Sequence, residues 1–263
     1  MTTVLKLGGS VVTEKDAVET VAVEDLERAA GAIGAVHGRE GGDEDGSAPD
    51  RAELVVVHGG GSFGHPKAAE YDVTTSEGTY NDRAVRDIHG AMRDLNRAVV
   101  GALADADVPA VQVAPLSAGH RAGDEFHQSA DAVPALLAEG FVPVLHGDVV
   151  ATTGGGATIV SGDELVATLA EDLAADRVGL CSDVPGVLDG DGEVIERIRE
   201  FDAVADSLGG SDTTDVTGGM AAKVRTLLEL DAPASVFDLD GLGAFLAGEL
   251  PGTLVAGGYF EYK

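Results

Sequence analysis

The sequence predicts an α/β fold, in which helices cover both faces of a mostly parallel central sheet as a three-layer αβα sandwich. Short apolar runs rich in valine alternate along the chain with longer segments of helical periodicity. Strands that are apolar throughout are buried on both faces, which favours parallel pairing. Hydrophobic residues make up 44% of the 263 residues but aromatic residues only 4%, so the core has to consist mainly of valine, alanine and leucine.

The predicted strands and helices follow one another without a linker. In chain order, the strands are 3–7, 54–57, 110–113, 141–145, 177–181, 235–239 and 253–256. The helices are 23–37, 82–106, 130–139, 163–174, 220–230 and 242–247. Hairpins are predicted at 149–160, through three consecutive glycines, and around 189–192.

Two further features concern how the chain is organised. Residues 38–51 are rich in glycine and acidic side chains and lack apolar periodicity, which predicts a solvated surface loop. The strand–helix alternation starts again after residue 175. We therefore expect an N-terminal lobe of residues 1–175 and a C-terminal lobe of residues 176–263 that share one continuous sheet.

The net charge is −29, from 46 acidic and 17 basic side chains. A surface this negative repels nucleic acids and anionic membranes, so we expect neither as a partner. The acidic residues are spread over helices that alternate with apolar strands, which argues against disorder. Lysine is reduced to five residues. This combination favours a folded protein of a salt-saturated cytoplasm, where charges are screened over a few Å; the alternative is an ordinary acidic enzyme.

Cys181 is the single cysteine of the sequence and lies in an apolar run. We expect a buried structural thiol rather than a nucleophile, and no intramolecular disulfide is possible. The chain enters a strand at once, so no signal peptide is expected, and no apolar run approaches the roughly 18 residues of a membrane span. These features predict a cytoplasmic protein.

Three of the five lysines lie in or beside glycine-rich turns. Lys6 begins the sequence Lys-Leu-Gly-Gly-Ser with Lys15 shortly after it, and Lys223 follows Thr-Gly-Gly-Met-Ala-Ala. A third turn, residues 58–65, follows the strand 54–57. Backbone N–H groups at such turns, together with ammonium groups from different strand ends, can hold a polyphosphate and neutralise a phosphoryl group during transfer. The Walker pattern with its Gly-Lys-Ser/Thr is absent, which excludes a P-loop.

The order and separation of these turns match a known family from end to end. The matching segments are 6–10, 58–61, 182–187 and 215–220, the last together with Lys223. In these segments the chain resembles the amino acid kinase superfamily. Residues 61–66 resemble isopentenyl phosphate kinases in particular, because acetylglutamate, aspartate and uridylate kinases lack a histidine in that turn. Fosfomycin kinases are similar enough to have one. Together with the acidic composition, the resemblance indicates a haloarchaeal member.

The resemblance implies a nucleotide site. The residues that it assigns to ATP are Lys6, Gly8, Gly9, Ser10, Gly61, Asp183, Gly186, Gly219 and Lys223. The first turn would hold the ATP phosphates, Asp183 and Gly186 would border the nucleotide, and Gly219 and Lys223 would hold the β- and γ-phosphates. Mg²⁺ would be carried by ATP, and no metal site of the protein's own is expected.

The resemblance also implies an acceptor site and a catalytic set. Gly60 would contact the acceptor phosphate through its N–H group, Gly61 would contact the transferring phosphoryl group, and Gly147 would lie beside the acceptor. The implied catalytic residues are Lys6, Lys15, His65, Asp163 and Lys223. Among them, Lys15 would stabilise the transition state and Asp163 would orient the lysines. Acceptor binding and dimerisation fall in lobe 1–175, and nucleotide binding falls in lobe 176–263.

A monophosphate acceptor would explain why a histidine is needed at position 65. The second pKa of a monophosphate is about 6, so near neutral pH it is already a dianionic nucleophile and needs no strong base. The main obstacle is repulsion between two phosphate groups, and a nearby dianion favours the protonated imidazole of His65. An isopentenyl tail also needs an apolar slot. The stripe of Ile88, Met92 and Leu95 is a candidate wall, with plain core as the alternative.

Other features have simpler interpretations. Glycines 154–156 are expected at a hairpin tip, and Asp189 and Asp191 in a turn, because their spacing is incomplete for a calcium loop. The histidines that lack metal-ligand spacing are His120, His127 and His146. Of these, His127 is expected to be exposed, whereas His146 could line the acceptor pocket.

The resemblance therefore implies an ATP-dependent kinase that converts isopentenyl phosphate to isopentenyl diphosphate in a mevalonate-type isoprenoid pathway, and a homodimer like most relatives. One alternative is the same fold acting on another small phosphate or phosphonate such as fosfomycin. The other is a non-catalytic nucleotide-binding regulator or storage protein. Lys6, Lys15, Lys223 and Asp163 argue against that alternative, since a silent binder does not need a complete set of residues for phosphoryl transfer.

Overall fold

The structure is a computed structural model that describes residues 1–38, 52–129, 131–208 and 219–257. The predicted loop 38–51 lies outside the described residues except for its first residue, Gly38. Residues 215–218 of the glycine turn before Lys223 and residue 130, the predicted start of a helix, also lie outside them.

The described residues form strands and helices at the positions that the sequence predicts. The strands are β1 (Thr2–Leu7), β2 (Glu53–His58), β3 (Ala110–Gln112), β4 (Gly119–Ala122), β5 (Glu125–Gln128), β6 (Val142–His146), β7 (Asp148–Thr152), β8 (Gly156–Val160), β9 (Arg177–Ser182), β10 (Arg197–Ile198), β11 (Ala234–Asp238) and β12 (Thr253–Val255). The helices are α1 (Gly9–Val12), α2 (Val23–His37), α3 (Gly61–Glu70), α4 (Asp82–Asp105), α5 (Pro115–Ala118), α6 (Ala132–Ala138), α7 (Gly162–Asp172), α8 (Ala205–Leu208), α9 (Gly219–Leu228) and α10 (Leu242–Leu246), with a 3₁₀ turn at Phe201–Ala203. Every predicted strand and helix ends within about two residues of an observed one.

Several elements were not predicted. Helix α3 occupies most of the segment that was predicted as a glycine turn, although it contains Pro66 and two glycines of low helix propensity. Strands β4 and β5 are short and were missed. The hairpin predicted around 189–192 is reduced to a turn closed by one bridge, between Leu188 and Val194.

The central sheet has eight strands in the order β10-β12-β11-β9-β1-β2-β6-β3. Parallel pairing holds throughout except between β11 and β12. Strands from residues 177–255 form one half of the sheet and strands from residues 2–146 form the other, joined where β9 pairs with β1. A second sheet of four strands, in the order β5-β4-β7-β8, lies beside it.

Helices cover both faces of the central sheet, which confirms the three-layer αβα sandwich. Along β2, Leu54 and Val56 pack with α2, α4 and α10, whereas Val55 and Val57 pack with α6, α7 and α9. This alternation follows from the period of two along a strand. No helix within the described ranges is long and apolar enough to cross a membrane.

Candidate active site

One cavity of 1080 Å³ lies at the carboxyl ends of β1, β2, β6 and β9. Four helices begin at its wall, with Gly9 of α1, Gly61 of α3, Gly162 of α7 and Gly219 of α9 as their first residues. The N-terminus of a helix carries unpaired N–H groups and a partial positive charge. The cavity therefore favours an anion.

The first two glycine turns touch each other through their backbones. A Cβ atom on Gly9 would lie 2.6 Å from the Gly61 nitrogen, and one on Gly61, whose φ is +46°, would lie 2.0 Å from Thr13 Oγ1. Thr13 joins the two turns: its hydroxyl donates to the Gly9 carbonyl at 2.8 Å and accepts from the Ser62 N–H at 3.0 Å. Sequence reasoning missed Thr13, because nothing in the sequence shows that the two turns meet.

Lys6 and Asp163 form an ion pair on the floor of the cavity, which we call the floor pair. The period of two puts Lys6 on the same face of β1 as Val4, and α7 covers that face. Asp163 is in the first turn of α7, and its Oδ1 lies 2.6 Å from Lys6 Nζ. The exposed fractions of the two side chains are 10% and 18%. Asp163 therefore lies where it could orient Lys6, the role that the resemblance implies for it.

Lys15 and Asp183 form a second ion pair at the cavity entrance, which we call the rim pair. Ser10 donates to the same carboxylate at 2.9 Å. Burial raises the pKa of Asp183, but the hydrogen bonds from Lys15 and Ser10 outweigh it and bring the pKa to about 2. The rim pair is open to solvent, with exposed fractions of 62% for Lys15 and 42% for Asp183.

The predicted acceptor residues lie at another part of the same cavity. His65 of α3 is exposed and lines the cavity beside Gly60. A Cβ atom added to Gly60 would lie 3.5 Å from His65 Cδ2. Ile88 and Met92 of α4 line the cavity next to them, so these two residues of the apolar stripe face it. Leu95 is fully buried and belongs to the core.

All of the predicted site residues described in the structure line this one cavity. They are Lys6, Gly8, Gly9, Ser10, Lys15, Gly60, Gly61, His65, Gly147, Asp163, Asp183, Gly186, Gly219 and Lys223. Lys223 is half-buried in α9, on the side of the C-terminal strands. Within the described ranges, no group of three or more His, Cys, Asp or Glu side chains is placed to hold a metal ion.

Residues 153–155 join β7 to β8, which confirms that glycines 154–156 lie at a hairpin tip. Asp189 caps its turn by accepting from the Asp191 N–H at 2.9 Å. His127 is exposed, as expected. His146 is fully buried under Gly147 and does not line the cavity, so the alternative that it would do so is wrong.

Cys181 is a buried thiol, as its apolar surroundings in the sequence predict. Its exposed fraction is 1%, and burial raises its pKa to about 12. A thiol in this state is protonated and unreactive.

Known proteins resemble the chain over almost its full length. The sequence profile of the amino acid kinase family matches residues 1–230. The isopentenyl phosphate kinase of Haloferax volcanii is 56% identical over 255 residues, which cover 97% of this chain and 98% of that protein. The isopentenyl phosphate kinase of Methanocaldococcus jannaschii is 34% identical, with coverage of 96% and 98%. A crystal structure of an isopentenyl phosphate kinase superimposes with a TM-score of 0.76 at 29% identity, covering 97% of this chain and 99% of that one.

Proposed function

The chain belongs to the amino acid kinase family, within its group of isopentenyl phosphate kinases, and on that premise we propose that it transfers the γ-phosphoryl group of ATP to isopentenyl phosphate. The observation that carries the proposal is the meeting of Lys6, Lys15, Lys223 and His65 at one cavity, although they come from distant parts of a lysine-poor chain. Three ammonium groups and an imidazole suit the encounter of two phosphate groups.

We place ATP where the turn after β1 meets the C-terminal strands at the cavity. The proposed nucleotide residues are Lys6, Gly8, Gly9, Ser10, Gly61, Asp183, Gly186, Gly219 and Lys223. The N–H groups at the start of α1 and α9 would donate to the phosphate oxygens, as helix N-termini do for other anions. Lys6 and Lys223 add full positive charges, and Mg²⁺ carried by ATP would neutralise further charge on the β- and γ-phosphates.

The acceptor is placed at the start of α3. His65 and the Gly60 N–H would bind its phosphate with Gly147 beside them, and Ile88 and Met92 would contact the apolar tail. This arrangement separates the two ends of the substrate, because the polar groups come from the glycine turn and the apolar ones from α4.

The proposed chemistry is direct attack of an acceptor phosphate oxygen on the γ-phosphorus of ATP. The acceptor is already a dianion near neutral pH, so the residues have to neutralise charge rather than remove a proton. Lys15 would leave Asp183 to contact the transferring group, while Asp163 keeps Lys6 in place from below. The P–O bond to ADP breaks as the new P–O bond forms.

The two alternatives make different demands on the cavity. A fosfomycin-type acceptor has almost no apolar tail, whereas Ile88, Met92 and Ile159 give the acceptor end an apolar wall. A silent regulator has no use for the buried floor pair, because an unreactive ligand can be held by backbone N–H groups alone. Both observations favour the kinase of an isoprenyl phosphate.

We further propose a homodimer that works in the cytoplasm at high salt, in a mevalonate-type isoprenoid pathway. The charge of −29 is compatible with concentrated salt, since the Debye length is only about 3 Å at 1 M. The relative that is 56% identical comes from Haloferax volcanii.

The deciding experiment measures ADP release with MgATP in molar KCl. The acceptors are isopentenyl phosphate, dimethylallyl phosphate, fosfomycin, N-acetylglutamate and uridylate. We expect turnover with the two isoprenyl phosphates alone. Turnover with another acceptor would keep the phosphoryl transfer and overturn the substrate, whereas ATP binding without turnover would favour the regulator.

A variant at His65 tests the acceptor site separately. His65→Ala should lose acceptor binding and rate, while the Kd for ATP stays nearly unchanged. His127→Ala is the matched control, because His127 is an exposed histidine that does not line the cavity. Equal activity of the two variants would remove His65 from the proposal.

A further inference from the structure

Two buried histidines lie directly beneath the acceptor end of the cavity. His58 ends β2 and His146 ends β6, and they are partners in the register of these strands. Both side chains are fully buried, and their rings stack with centroids 5.4 Å apart. Neither lines the cavity, and none of the proposed roles uses them.

Each histidine bonds the carbonyl of the glycine that follows it. His58 Nδ1 lies 3.0 Å from the Gly59 oxygen, and His146 Nδ1 lies 3.0 Å from the Gly147 oxygen. A carbonyl can only accept, so Nδ1 carries a proton in both rings. Burial lowers the pKa of both side chains, that of His58 to about 3, so both rings are neutral and Nε2 carries no proton.

Asn96 of α4 holds the opposite side of the His58 ring. Its side-chain amide is fully buried, with Oδ1 3.1 Å from His58 Nε2. A half-turn of the amide would bring the Asn96 NH₂ group, instead of Oδ1, next to His58 Nε2. This NH₂ group otherwise has no partner in the described part of the chain. His58 is then held at both ring nitrogens, and any rotation would leave a buried polar group unpaired.

The bond to the Gly59 carbonyl determines where the next N–H group points. In a planar trans peptide, the carbonyl and the N–H that follows it point in opposite directions. The Gly59 carbonyl points at the buried His58 ring, so the Gly60 N–H points away from the core, where Gly60 lines the cavity. In the described part of the chain, this N–H has no backbone acceptor.

We propose that His58 and His146 are positioning residues that lock the peptides after Gly59 and Gly147 from below, and that His58 thereby directs the Gly60 N–H at the acceptor phosphate. The inference rests on the proposed function. The Gly59–Gly60 peptide needs such a constraint because it lies between two glycines, which have more conformational freedom than any other residue.

The test compares His58→Asn with His58→Gln. The asparagine N–H can take the place of Nδ1 and bond Gly59, whereas the longer glutamine places its amide where Nε2 was. We expect His58→Gln to lower kcat/KM for isopentenyl phosphate by about 10-fold to 100-fold, the worth of a hydrogen bond to a charged group, with the KM for ATP unchanged. His58→Asn should stay close to the wild type. Thermal unfolding of both variants shows whether each is folded at the assay temperature.

Equal losses in the two variants, or no loss in either, overturn the inference. A second measurement needs no variant: the Gly60 amide resonance of the ¹⁵N-labelled wild type should move downfield when isopentenyl phosphate is added without ATP. An unmoved resonance in a chain that binds the substrate also overturns the inference. A wild type that neither binds nor phosphorylates isopentenyl phosphate overturns the proposed function itself.

Discussion

The floor and the rim of the cavity hold the same two chemical groups in opposite surroundings. The floor pair, Lys6 with Asp163, is almost withdrawn from solvent, whereas the rim pair, Lys15 with Asp183, is about half exposed. A charge on the floor is costly to leave unpaired, while a charge on the rim is screened by water and salt. The comparison suggests that the floor pair is a permanent part of the structure and that the rim pair is a contact which Lys15 can exchange for a phosphate.

The largest effect is expected from the floor pair. Asp163→Asn should lower kcat by about 100-fold to 1,000-fold, the range for loss of a preorganised electrostatic contact. It should also lower the free energy of unfolding by about 3 to 5 kcal/mol, because Lys6 stays buried without a counter-charge. Steady-state kinetics and denaturant unfolding measure the two effects. The double variant Lys6→Met with Asp163→Asn should regain stability but not activity; if it stays as unstable as Asp163→Asn, the pair is not the cause.

Replacing the rim lysine should separate activity from stability. Lys15→Met should lower kcat by about 100-fold or more, since a cation at the transferring group is lost. The free energy of unfolding should change by less than about 1 kcal/mol, because an exposed pair contributes little. Lys67→Met is the matched control, since Lys67 bonds Glu70 at 3.4 Å and does not line the cavity. Similar activity in both variants would contradict the proposed role of Lys15.

Acid should destabilise the fold through the buried His58. Its pKa is lowered by burial from 6.5 to about 3, so between these values the unfolded chain binds a proton that the folded chain does not. The stability is therefore fully present above pH 6.5 and is lost as the pH falls toward 3, by up to about 1.4 kcal/mol per pH unit for this residue. His58→Asn should flatten the dependence by one proton in chemical unfolding at several pH values. The exposed His127, changed to Asn, should leave it as in the wild type.

The smallest effect is the response of the two pairs to salt. The coupling between Lys15 and Asp183, from a double-mutant cycle in unfolding, should be about 0.2 to 1 kcal/mol and should vanish at molar KCl. The coupling between Lys6 and Asp163 should hardly change, because little solvent reaches it. If both couplings fall in parallel, the floor and the rim do not differ as described.

The order of elements could be predicted because each strand and helix carries its own periodicity. The period of two along β1 even fixes which face Lys6 occupies, given that Val4 and Leu5 pack on opposite sides. The contact between Lys6 and Asp163 could not be predicted in this way, because it depends on which helix covers that face. Lys15 and Asp183 were both predicted at the site, yet their pairing joins residues far apart in the sequence.

The second sheet was missed for a different reason. Arg121 in β4 is a buried arginine whose guanidinium donates to both carboxylate oxygens of Glu164, at 2.6 and 2.8 Å, and to the Ile159 carbonyl at 3.0 Å. These contacts tie β4 to the first turn of α7, beside Asp163. Nothing local in the sequence distinguishes such an arginine from an exposed one, since its partners come from other elements.

The state of Cys181 has a practical consequence for studies of motion. At pH 8 a thiol with a pKa of about 12 is ionised in only about one molecule in ten thousand, and this thiol is also 1% exposed. A maleimide dye should therefore not label Cys181 in the native chain. A cysteine introduced at exposed Val18, near the tip of the segment that carries Lys15, would be the one labelled position. The chain is thus a suitable background for fluorescence measurements of how that segment responds to nucleotide, because the native cysteine need not be removed.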